Sequence, residues 1–170
     1  MLTTIDELFL LTEQLSIIVV WRNLQLINPS FLGMADASKN TITLDLSLDD
    51  CPRKCKCVLA EEIGHILYPP RPGHIRYHSR GYWQVDHHDR SLMDVIVAQD
   101  ERKALNWATG VLMPDDKMPM ARMEGARTLP LLAEYFDVEL WIVRLKIGYM
   151  RRRGRDKGIK YKWTDFIDRE

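Results

Sequence analysis

Little in this sequence points to membranes, secretion or bulk attraction to nucleic acid. Its 24 Lys/Arg balance 24 Asp/Glu, a formal charge of zero, so the chain as a whole exerts no pull on a polyanion. No apolar run approaches the roughly 18 residues that a membrane-spanning helix needs. The opening MLTTIDELFLLTEQL is acidic and lacks a basic n-region, which argues against a secretory signal. Only three cysteines occur, Cys51, Cys55 and Cys57. That is too few for a disulfide framework, and free thiols in a reducing cytoplasm are expected. Internal repeats and low-complexity tracts are also missing.

What remains is the composition of a globular protein, 46% hydrophobic and 28% charged over 170 residues, long enough to bury one core. Residues 3–15 have helical spacing in Ile5, Leu8, Phe9, Leu11 and Leu15, with Thr4 as cap. SIIVVW reads as a buried strand. FLGMADASKNTITLDLSL reads as two strands around the turn-forming SKN, giving a sheet of about three strands in the first 48 residues. Asp49, Asp50 and Pro52 signal the start of a helix that runs to about Leu67 and stops at Pro69-Pro70. Residues 69–90 read as a long loop or lid. A second long helix is expected from Leu92 to about Val111, and two short helices are expected in 129–150, joined at Asp137-Val138. Residues 151–170 read as a mobile basic tail.

The chemistry concentrates in the first long helix. At about 100° per residue, Cys55, Val58, Leu59, Ile63, Ile66 and Leu67 form an apolar arc. Glu62 falls within that arc, with Glu61 and His65 at its margin. A carboxylate on the buried side of a helix calls for a partner, a proton or a metal. Glu61 and His65 are one turn apart and can reach one ion. The arrangement is that of the zincin signature H-E-x-x-H with glutamate in place of the first histidine. A third ligand is offered by Glu101, in line on the second helix with Val97, Ala98, Ala104 and Ala108, a small-residue stripe that permits close packing. Glu61, His65 and Glu101 are then the metal ligands, with a position left for water, and Glu62 is the general base. Against this stands the plain alternative of an acidic, solvated helix carrying a lone histidine.

Three ordered blocks carry a resemblance. VLAEEIGHILY, then QDERKALNWATGVLMP, then LPLLAEYFDVELWIVRLKIGY resemble the ImmA/IrrE family of metallopeptidases over roughly residues 15–150. The second block looks like that family's E-x-x-A-x-x-[FW]-A-x-x-L-[LM]-P segment, whose glutamate falls on Glu101. The resemblance implies an α+β, zincin-like fold in one domain, residues 1–150, with a small N-terminal sheet packed against the active-site helix and further helices. It implies Glu62 as base and His65 and Glu101 as ligands. It also implies a cytoplasmic endopeptidase of a phage or mobile element that cleaves or inactivates a helix-turn-helix repressor, as an anti-repressor does. Position 61 departs from the family, where histidine is usual. With Glu61 as ligand, two carboxylates and one imidazole leave the centre less positive. Its water should be polarised less, and manganese or iron is admitted beside zinc.

Other features have plainer readings. The three cysteines lack a fourth metal ligand and read as ordinary thiols, with redox input a minor idea. His74, His78, His87 and His88 could supply the missing imidazole or simply be solvated, and Tyr77, Tyr82 and Trp83 could line a peptide groove or pack the loop. Trp107 reads as a core aromatic. From 144 to 162 there are nine Lys/Arg against one acidic residue, and the third block imitates a helix-turn-helix. Yet Val138, Leu140, Trp141, Val143 and Leu145 would bury the presumed recognition helix, so direct DNA binding is not expected. A catalytically weak binding protein of the same fold is the alternative.

Overall fold

Three strands gather within the first 45 residues, and a fourth joins them from further along the chain. The structure is a computed structural model and describes residues 2–69, 78–79, 92–158, 160, 162 and 165–168; for 78–79, 92–98 and 100 only the backbone is described. The strands are β1 (Ile18–Arg22), β2 (Phe31–Asp36), β3 (Thr41–Asp45) and the two-residue β4 (His78–Ser79). Their order is β1-β3-β2-β4, with β1 parallel to β3 and β2 antiparallel to both β3 and β4. The helices among the described residues are α1 (Ile5–Gln14), α2 (Pro52–Leu67), α3 (Leu92–Leu112), α4 (Lys117–Met123), α5 (Leu129–Tyr135) and α6 (Leu140–Asp156). The class is therefore α+β. No helix among the described residues is long and apolar enough to cross a membrane.

Local chemistry explains most boundaries. Thr4 caps α1 in a reciprocal capping box with Glu7, which satisfies two otherwise orphaned backbone donors. The β2–β3 hairpin turns where Asp36 Oδ1 accepts the Ser38 amide and hydroxyl. Asn40 there takes a left-handed conformation (φ 48°), which asparagine tolerates. The buried Asp45 carboxylate accepts amides from Leu24, Gln25 and Ser47. It thereby clamps two short 3-10 turns, Leu24–Leu26 and Leu46–Leu48, to the sheet end.

Several expectations need correction. Among the described residues β1 is an edge strand, paired with β3 alone, and it is not buried: Ile18 is 60% exposed. The cap of α2 is Cys51, without a side-chain cap bond, in place of Asp49 or Asp50. The stretch between Pro114 and Leu129 contains a helix, α4, that its weak periodicity concealed. α6 is not short. It continues through Asp156, so the basic segment begins as helix. The loop expected over 69–90, with His74, His87, His88, Tyr77, Tyr82 and Trp83, lies outside the described residues apart from Pro69 and the backbone of His78 and Ser79.

The core centres on α2. It packs against α1, α3, β2 and β3, and every residue from Cys55 to His65 is buried. The one-sided apolar arc was thus too narrow a reading, and its last member, Leu67, is exposed. Even Lys56 is buried, its Nζ donating to Asp137 Oδ2 at 2.8 Å and to the Phe136 carbonyl at 3.3 Å. This bond ties α2 to the turn between α5 and α6. A comparable clasp binds α6 to the end of α3: Lys146 and Arg153 both engage Asp115, and Arg153 also donates to Asn106 Oδ1.

Candidate metal centre

The centre of the candidate site is the crossing of α2 and α3. Gly64 is what allows it to be so close. A Cβ built on Gly64 would lie 2.6 Å from the Ala104 carbonyl oxygen, far inside van der Waals contact. Ala104 and Ala108 on the facing side of α3 are fully buried, as their small size suggested; Val97 and Ala98 are described by backbone alone. The close approach carries His65 to Glu101: His65 Nε2 and Glu101 Oε2 are 3.6 Å apart, with both side chains largely shielded from solvent.

That separation is informative. It is longer than a hydrogen bond, which lies near 2.7–3.2 Å. Two donors bound tetrahedrally to one ion at about 2.1 Å would stand about 3.4 Å apart. Imidazole and carboxylate are also suitable ligands for a divalent cation, so the His65–Glu101 pair fits one. Glu61, the third proposed ligand, is buried one turn before His65. It is not drawn into a closed cluster: among the described residues, no group of three or more His, Cys, Asp or Glu side chains is gathered closely enough to hold an ion. The structure thus brings two of the three candidate ligands together and keeps the third on the neighbouring turn.

Glu62, the candidate base, is fully buried between α2 and the sheet. It is placed against β2 at Gly33, where an added Cβ would lie 2.5 Å from Glu62 Oε1.

One residue absent from the sequence reading bears on the site. Tyr149, buried on α6, has its phenol pushed up to about 12, chiefly by burial; Arg152 and Arg102 oppose the shift, and the charges of Glu61 and Glu101 add to it. Tyr149 therefore lies in the field of both carboxylates, which associates α6 with the α2–α3 junction. The only signal for it in the sequence was helical spacing within an apolar segment.

Cys55 and Cys57 behave as core thiols, while Cys51 is exposed. Burial pushes Cys55 up to about 11 and Cys57 up to about 12, far from the thiolate that redox or metal chemistry needs. Cys57 Sγ instead accepts the Glu139 amide at 3.2 Å. Trp107 is half-buried against the core. No family model, curated protein or solved structure matches the chain, so the chemistry of the site rests on its own residues.

Proposed function

We propose that the protein is a metal-dependent endopeptidase of the zincin-like ImmA/IrrE kind, acting on a helix-turn-helix repressor of a phage or mobile element. The observation that carries this reading is the shielded His65–Glu101 pair, 3.6 Å apart, whose histidine shares α2 with the buried Glu62. His65, Glu101 and Glu61 would hold a divalent ion, zinc or, given two carboxylates, manganese or iron. When bound, that ion supplies Lewis acidity to the reaction. Glu62 takes the proton from the attacking water and passes it to the leaving amine. Burial of Glu62 on α2 against β2 at Gly33 shields the carboxylate and holds it in place. The repressor as substrate rests on the resemblance of the three sequence blocks.

A second reading, a binding protein that recognises a repressor without cutting it, draws on the complete burial of Glu62, since a base must meet its water. DNA recognition by α6 has less support, because Ile142, Val143, Lys146 and Ile147 are buried along that helix. The test is incubation of purified protein, loaded with zinc, with the helix-turn-helix repressor encoded nearest its gene. Wild type is expected to cut it, while Glu62→Gln binds the repressor and leaves it intact. Equal loss of intact repressor with the variant would contradict the assignment of the base.

A further inference from the structure

We propose that Gly33 is a positioning residue for Glu62: the side chain missing at this point of β2 forms the seat of the carboxylate. The inference rests on the proposed function, because it gives Gly33 a role through the candidate base. Glycine is a poor choice inside a strand and marks a bulge or a close approach. The backbone gives no conformational reason for it, since the positive-φ glycines among the described residues are Gly125 and Gly158. The reason is space. A Cβ at position 33 would meet Glu62 Oε1 at 2.5 Å, Val58 Cγ1 at 2.7 Å and Glu62 Cγ at 2.9 Å. All three are well inside ordinary carbon contact distances.

Neither side can retreat easily. Gly33 is paired with Leu44 of β3 on one side and His78 of β4 on the other, and Glu62 is fully buried. The ladder between β2 and β4 also shifts register between Phe31 and Gly33, an irregularity of the kind found beside functional sites. Other glycines differ: Gly110 and Gly148 have nothing within 4 Å of an added Cβ, and Gly64 meets helix backbone. An added methyl at 33 therefore presses on Glu62 and Val58, and none of the ligand candidates is among the three atoms nearest to it. Misplacing a reacting group by about 1 Å costs on the order of 100-fold in rate.

The experiment joins kinetics to a stability cycle. Gly33→Ala is expected to lower kcat on the repressor about 100-fold and to leave KM and zinc affinity, measured by chelator competition, within about twofold. Gly33→Ala should also lower Tm by about 5 °C when Glu62 is present, and by less in a Glu62→Ala background, where two of the three close contacts are gone and that with Val58 Cγ1 remains. Should Gly33→Ala alone fail to fold, adding Glu62→Ala is expected to recover a cooperative transition where adding Val58→Ala is not. An unchanged kcat, an equal Tm loss in both backgrounds, or recovery by Val58→Ala but not by Glu62→Ala would overturn the proposal. A wild type that neither binds zinc nor cuts the repressor would defeat the proposed function instead, while the stability cycle would still judge the seat.

Discussion

His65 and Glu101 are separated by 101 − 65 = 36 positions in the chain and by 3.6 Å in space. The central functional claim depends on that proximity. His65→Ala should weaken zinc binding by about 100-fold or more, since even partners outside the ligand set are worth 10–100-fold; Glu62→Gln should leave affinity close to wild type. Chelator competition distinguishes the two, and equal losses would mean that His65 is not a ligand. Glu61→His should restore positive charge to the centre and tighten zinc severalfold. The thiols offer an independent check on residue environments. Iodoacetamide at neutral pH should label exposed Cys51 and spare Cys55 and Cys57 in the folded protein. Labelling of Cys57 would contradict its burial. The burial of Glu62 was legible, because the residue falls within the apolar arc of its helix. The surroundings of Tyr149 and Gly33 were not, since they depend on contacts between elements that no local pattern gives.

At the scale of elements, the α2–α3 crossing is set by Gly64 against the Ala104 backbone. Gly64→Ala must push the helices apart, at about 1–3 kcal/mol, and should weaken zinc binding with the loss of the His65–Glu101 approach. A variant that keeps both wild-type stability and wild-type affinity would show that the packing is not what joins the pair. The C-terminal ends of α2 and α3 could be read from the prolines that follow them, and the packing of Ala104 and Ala108 from periodicity. Burial of Lys56 could not, because its partner Asp137 lies 81 residues away. Nor could the edge status of β1, since β-branched residues favour a strand without specifying which sides are paired. The polar stretch before α5 concealed a helix for a related reason: tertiary packing, through buried Met118 and Ala121, stabilises a segment whose own pattern is weak.

For the whole molecule, the polar clasps imply a definite response to acid. Burial raises the carboxyl of Asp45, but hydrogen bonds from Ser47, Leu24 and Gln25 outweigh it and leave the pKa below the ordinary value. Asp137 and Asp115 are lowered in the same way, burial being outweighed by Lys56 and Arg53 in one case and by Lys146 and Arg153 in the other. A carboxyl with a depressed folded pKa contributes stability above its unfolded pKa and loses it as pH falls through the folded one. Denaturation midpoints should therefore hold near neutrality and fall below about pH 4. Asp45→Ala should cost about 3 kcal/mol at neutral pH and flatten the acid limb; an unchanged limb would mean that other groups control it. The α+β class was what the resemblance of the three blocks implied, whereas these long-range clasps join segments that no local pattern relates. The central claim, that the α2–α3 crossing is a divalent metal site, is tested most directly by anomalous diffraction from crystals soaked in zinc. The account predicts a peak within bonding distance of His65, Glu101 and Glu61 that disappears in His65→Ala; no peak there, or one held by other residues, would contradict it.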